Sequence, residues 1–122
     1  MQTSTFGKFY KDSEIIIKQG DQGDCIYVIQ KGRVEIVKET NRGEVLLGRR
    51  GKGEFFGEMA VFNHATHTAT VRSVGESYVL TLDKKNLLRR IQEDPSVVIP
   101  IVQTMSTTIR ELHSQVAYLK NQ

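Results

Sequence analysis

Phe55-Phe56-Gly57-Glu58-Met59-Ala60-Val61-Phe62-Asn63-His64-Ala65-Thr66-His67-Thr68-Ala69-Thr70-Val71 is the stretch on which the reading of this chain turns. It opens with a glycine and a carboxylate set between apolar residues. It then runs through a polar loop with two histidines and closes on small and β-branched residues. A carboxylate beside a glycine-led turn, followed by polar residues, suits a small polar ligand held against an apolar wall. Phe55, Phe56, Val61 and Phe62 read as core, because such side chains are usually buried. Glu58 has two readings: an acceptor for a ligand, or a turn carboxylate that bonds nearby backbone N–H groups.

Upstream, residues 1–11 offer Phe6, Phe9 and Tyr10 as anchors for a short helix or an extended lead-in. Glu14-Ile15-Ile16-Ile17-Lys18 is β-branched and reads as a strand. Gln19-Gly20-Asp21-Gln22-Gly23-Asp24 is a turn cluster. Cys25 to Gln30 reads as the next strand, and Lys31-Gly32 as a tight reversal. Arg33 to Lys38 alternates polar and apolar residues, as a half-buried strand does. Thr40-Asn41-Arg42-Gly43 turns the chain into a strand over Glu44 to Arg49, and Gly51-Lys52-Gly53 leads into the opening stretch. Downstream, Ala69 to Ser73 and Ser77 to Leu82 are expected to pair around Val74-Gly75-Glu76. Many short strands separated by glycine turns indicate a closed or rolled antiparallel structure. A roll of this size has room for one small ligand.

Past residue 82 the pattern becomes helical. Asp83 can cap a helix from about Lys84 to Glu93, and Asp94-Pro95 restarts the chain with proline in a first turn. Pro100 is expected to distort the second turn of the helix that follows. Val102, Met105, Ile109, Leu112, Val116 and Leu119 then recur at alternating steps of three and four. That spacing is a heptad seam. It fits a helix laid against the roll or a helix that pairs with its own copy, and the narrowness of the stripe favours the pair.

The totals bound the function. A chain of 122 residues with 25% charged and 39% hydrophobic residues builds one soluble domain with a modest core, not a disordered segment. The net charge of +3, from 17 basic and 14 acidic residues, is too thin and scattered to imply nucleic acid. Arg49-Arg50, Lys84-Lys85 and Arg89-Arg90 read as solvated faces. Cys25 is the lone cysteine, so it supports neither an intramolecular disulfide nor a cysteine metal site, and it reads as a buried, inert thiol. A cytoplasmic, reducing compartment is expected. No apolar run reaches the ~20 residues of a membrane helix, and the N-terminus lacks the apolar core of a signal peptide. His64, His67 and His113 are the only histidines, and His113 lies on the long helix; His64 and His67 with Glu58 would make a metal site only by chance, so a metal enzyme is not expected. No nucleophile–histidine arrangement is supported either, so no catalysis and no required cofactor or metal are expected.

These residues together resemble the cyclic nucleotide-binding domain family, which includes catabolite-activator-type regulators and kinase regulatory subunits. Gln19-Gly20-Asp21-Gln22-Gly23-Asp24, Tyr27-Val28-Ile29 and Gly32-Arg33-Val34 look like its first β hairpins. Phe56-Gly57-Glu58-Met59-Ala60-Val61 looks like its phosphate-binding cassette, and Ala69-Thr70-Val71 like the closing strand. Leu82-Asp83 and Asp94-Pro95 fall where the family begins its C-terminal helices. The resemblance implies an antiparallel double-stranded β-helix, a jelly-roll-like roll of eight strands, over about 10–82. Helices at about 84–93 and 95–120 follow, in a single domain spanning 1–122. It implies cAMP or cGMP as ligand and a site at Phe56, Gly57, Glu58, Met59, Ala60, His67, Thr68 and Ala69. A carboxylate such as Glu58 is a strong acceptor for a ribose hydroxyl. Main-chain N–H groups near Met59 and Ala60 can form an anion-binding concavity, and Thr68 can add a hydroxyl.

One position departs from the pattern. Where the family carries an arginine that pairs with the cyclic phosphate, this chain has His67, and the preceding proline is Thr66. Arginine is always charged and offers a fork of donors; histidine donates from both nitrogens only when protonated. Three readings stay open. His67 stands in for the arginine; or the pocket takes another small anion; or the pocket is vestigial and the domain acts through protein contacts along the 102–119 seam, as a homodimer or docking module. Transcription factors of the family carry a DNA-binding domain after the long helix. The chain ends at Gln122 without room for one, so DNA binding by these residues is not expected.

Overall fold

The computed structural model describes residues 6–63 and 65–120. Two long antiparallel strands form its spine: β3 (Cys25–Thr40) and β6 (Thr70–Asp83). They pair from Cys25 opposite Asp83 to Val37 opposite Thr70. The shorter strands flank this spine in two sets. Toward one end, β1 (Phe6–Tyr10) pairs with β6 and β5 (Phe55–Phe56) pairs with β3. Toward the other, β2 (Ile15–Ile17) pairs with β6 and β4 (Gly43–Gly51) pairs with β3. Each long strand thus serves twice, and the six strands give the eight strand segments of the expected roll.

This corrects two expectations. Lys31-Gly32 is not a reversal, and the halves of β6 do not pair with each other. Both halves of β3 instead pair with the same neighbour, with register shifts between Ile29 and Lys31 and between Lys31 and Arg33. Gly32 (φ 84°) and Gly75 (φ 69°) adopt turn-like dihedrals within strands that run on. A bulge of this kind bends a strand without ending it. The lead-in resolves as a strand: Tyr10 is buried, while Phe9 lies outside against the Tyr78 ring at 4.5 Å.

Two apolar clusters divide the interior. One fills the roll and contains Ile17, Ile29, Val34, Phe56, Val71 and Val79. The other joins the roll to the helices through Ile26, Phe55, Val61, Leu87 and Ile101. The adjacent side chains of Phe55 and Phe56 point to opposite faces of a strand, so each enters a different cluster. Phe56 stacks on Tyr27 at 5.1 Å.

After β6, Asp83 caps α2 (Lys84–Glu93), its carboxylate accepting from the Asn86 backbone N–H at 2.8 Å. Asp94 caps a 3₁₀ turn over Pro95–Val97, and α3 (Val98–Lys120) follows. Pro100 therefore sits in the first turn of α3 rather than the second turn of a longer helix. A missing N–H removes no intrahelical bond there. Among the described residues, no helix is long and apolar enough to cross a membrane.

Candidate functional site

The opening stretch folds as a strand, a bend and a short helix. After β5, Gly57 takes φ 82°, and α1 (Glu58–Asn63) begins at the next residue. A Cβ on Gly57 would lie 3.1 Å from both Ile17 Cδ1 and Tyr27 Cδ2. Left-handed backbone and close packing both favour glycine here. Glu58 is thus the first residue of a helix, where a carboxylate suits the N-terminal end of the dipole, rather than a residue of a β turn.

The loop after α1 is pinned by its backbone to the 19–24 turn. Gly23 donates to the Ala65 carbonyl at 3.2 Å, His67 N–H to the Asp21 carbonyl at 2.8 Å, and Gly20 N–H to the His67 carbonyl at 2.8 Å. Thr70 Oγ1, at the start of β6, accepts from the Gln19 backbone N–H and donates to Glu39. Two turns distant in sequence thereby fix where His67 and Thr68 stand. His64 and the side chains of Phe62 and Asn63 lie outside the described residues.

These elements enclose a cavity of about 330 Å³. All eight residues expected at the site line it: Phe56, Gly57, Glu58, Met59, Ala60, His67, Thr68 and Ala69. Glu58 is 4% exposed. Burial raises its carboxyl above the ordinary range, while its own backbone N–H and the charge of Arg50 pull it back. His67 is half-buried, and burial holds its imidazole below the usual range against the opposing pull of Asp21 and Asp24. A depressed imidazole is neutral at neutral pH, so His67 brings no standing positive charge to the cavity.

The far wall of the cavity carries no local sequence motif. Arg50, Thr108, Glu111 and Leu112 also line the cavity. Arg50 was expected on a solvated face, and it is only 3% exposed. Its guanidinium meets Glu111 of α3 in a bidentate pair, both contacts at 3.0 Å. Nη2 also donates to Thr108 Oγ1 at 2.7 Å, and Nη1 to the Arg49 carbonyl at 2.8 Å. A signal for this was present: neighbours in a strand face opposite sides, so Arg49 and Arg50 could not share one solvated face.

The long-helix seam divides as well. Met105 packs against the second apolar cluster, and Leu112 touches the cavity. Val102, Ile109, Leu112 and Val116 are each 50% or more exposed. The Leu119 side chain lies outside the described ones. Cys25 is half-buried rather than buried, and burial with nearby Asp24 and Asp83 pushes its thiol up to about 11. Among the described residues, no group of three or more histidines, cysteines and carboxylates is arranged to hold a metal.

An antiparallel roll with a glycine–glutamate turn bordering one cavity, followed by a long helix, defines the structural class. Residues 7–94 match the model of the cyclic nucleotide-binding domain, and the chain belongs to that family. It is 36% identical over 81 residues to a cAMP-dependent protein kinase regulatory subunit of Mucor circinelloides f. lusitanicus, covering 66% of this chain and 19% of the relative. It is 40% identical over 68 residues to the type II regulatory subunit of that kinase in Drosophila melanogaster, covering 56% and 18%. Among solved structures it is similar to the Thermus thermophilus catabolite activator protein. There the TM-score is 0.79 at 26% identity, over 95% of this chain and 55% of that one. The chain thus spans about a fifth of the length of the kinase subunits that it matches.

Proposed function

We propose that this domain is a non-catalytic sensor of a cyclic nucleotide, cAMP or cGMP. The observation that carries the reading is the buried Glu58 carboxylate at the start of α1, sharing one cavity with His67 and Thr68. Glu58 accepts from the ribose 2′-hydroxyl, which compensates a buried carboxylate that otherwise lacks solvent. The backbone over Gly57–Ala60 and the Thr68 hydroxyl hold the cyclic phosphate, and His67 occupies the position of the family's arginine. Family membership and the kinase regulatory subunits among the relatives support a nucleotide over other small anions. A cytoplasmic location suits a nucleotide sensor with an unpaired thiol.

A second reading has its own observation. The exposed Val102, Ile109 and Val116 on α3 suit a dimerisation or docking face, whatever the cavity holds.

The sensor reading is tested by melting the protein with cAMP and with cGMP. A ligand at 100 times its dissociation constant adds ~2.7 kcal/mol to stability and raises Tm. An unchanged Tm with both nucleotides, together with flat calorimetric titrations at pH 6 and pH 8, rejects it in favour of the second reading.

A further inference from the structure

Among the described residues lining the cavity, Arg50 is the one with a permanent positive charge. Glu58 and Glu111 bring two carboxylates, and His67 is held neutral by burial. With Glu111 in place, the guanidinium charge of Arg50 is already matched by a carboxylate when an anion enters the cavity. Glu111 differs from Glu58 in one respect: its side chain is 28% exposed, so it can turn to water. Arg50 cannot, at 3%. Four of the five Arg50 N–H donors are used by Glu111, Thr108 and the Arg49 carbonyl. The fifth, on Nε, is buried and has no partner among the described residues. A buried donor left unmet calls for an acceptor, and an anion or a ligand carbonyl is one.

Gly48 of β4 bears on the same pair. A Cβ there would lie 2.4 Å from Glu111 Oε2 and 2.7 Å from its Cδ. The Glu111 carboxylate therefore rests on a strand position kept bare of side chain. Thr108 and Glu111 lie three apart on one face of α3, so the contacts with Arg50 fasten that face of the helix across the cavity.

We infer that Arg50 is the cavity's ligand-binding cation and that Glu111 is the internal carboxylate that a ligand anion displaces from it. Binding then exchanges one bidentate acceptor for another. The exchange frees Glu111 and with it the middle of α3, so occupancy is coupled to the helix. This rests on the nucleotide reading above for the identity of the anion, and it accounts for how a cassette without its arginine supplies positive charge.

The test uses the full chain and four variants. Gly48→Ala crowds the flexible end of Glu111 without changing any charge, and Glu111→Gln removes the competing charge. Both are expected to bind cAMP or cGMP about tenfold more tightly than the wild type in calorimetry. Arg50→Leu is expected to bind about tenfold or more weakly while keeping a cooperative melt. Adenosine and guanosine, which lack the phosphate, are expected to bind Arg50→Leu and wild type alike. Unchanged or weaker nucleotide binding by both Gly48→Ala and Glu111→Gln, or wild-type affinity in Arg50→Leu, overturns the inference. So does an Arg50→Leu loss of equal size for the nucleosides, which would mark a base or packing contact. Amide exchange over residues 104–112 judges the helix coupling without any ligand. Faster exchange in Gly48→Ala and Glu111→Gln than in wild type supports it, and equal protection overturns it. If the wild type and His67→Arg bind neither nucleotide, the sensor reading fails, and the exchange result still decides whether the pair fastens α3.

Discussion

Burial shifts two titratable groups in this cavity in opposite senses, raising the Glu58 carboxyl and lowering the His67 imidazole, and His67 is the one that faces the phosphate in the sensor reading. Burial lowers its pKa, so between that depressed value and the unperturbed ~6.5 the unfolded chain binds more protons than the folded one. Stability from the neutral imidazole is therefore complete above pH ~6.5 and is lost as pH falls through the window below it. The denaturant midpoint of the wild type should drop more between pH 7.5 and pH 5.5 than that of His67→Gln; equal drops would mean that His67 is not held neutral. An anion in the cavity works the other way, because it favours the imidazolium. Cyclic nucleotide affinity should rise from pH 8 to pH 6, with proton uptake on binding. His67→Arg should flatten this dependence and tighten binding at pH 8 by about tenfold to a hundredfold, the range of one charge-assisted contact. Binding by the wild type that is indifferent to pH would place the phosphate away from His67. At this scale the sequence was legible where a residue type is tied to one backbone state. Gly57 needed φ above zero, and Glu58 followed it onto the cavity wall. It was not legible for Arg50. The partner that buries Arg50, Glu111, lies 61 residues away on an element whose docking no local pattern specifies.

The elements differ in how locally they are determined. Asp83 ends β6 and caps α2 through one carboxylate that accepts from both the Asn86 backbone N–H and its side-chain amide, at 2.8 and 2.9 Å. Capping depends on a few adjacent residues, and so it can be read from them. Asp83→Ala should cost ~1 kcal/mol. For a chain of this size that lowers Tm by roughly 3–5 °C. An unchanged Tm would show that the packing of Leu87 alone holds the helix start. The long strands are ambiguous in sequence for the opposite reason. A glycine with positive φ between two β-branched runs is compatible with a hairpin and with a bulged, bent strand. Only the partner decides, and here both halves of β3 share β6. The short helix α1 was hidden for a similar reason: at six residues it is too brief for a periodic signal, and the cavity it borders, not its propensity, gives it a role.

Across the whole molecule, α3 joins two jobs on different faces. Ile101 and Thr104 are buried toward the roll, and Thr108 and Glu111 continue the same face over the cavity. Val102, Ile109 and Val116 run along another face and stay exposed, in register with the heptad spacing. Met105, counted in that seam by spacing alone, packs inward instead, which narrows the free stripe. An exposed apolar line of this kind on a helix of 23 residues suits a parallel or antiparallel partner of the same sequence. Self-association through it is expected, and sedimentation at tens of micromolar (~10–100 µM, a concentration range in which weak protein pairs assemble) should show a dimer. Ile109→Lys puts a charge in the middle of the stripe without touching either core cluster, so it should give a monomer with the wild-type Tm extrapolated to low protein concentration. A monomeric wild type, or a variant that still dimerises, would remove this face as the contact. If the Arg50–Glu111 pair also releases when the cavity is filled, the dimer constant must change with nucleotide. A ligand that binds two helix states differently shifts their populations, and by linkage the dimer shifts ligand affinity by the same factor. Sedimentation with saturating nucleotide should therefore move the monomer–dimer balance in the wild type. In Arg50→Leu, where the pair is gone, it should leave the balance in place.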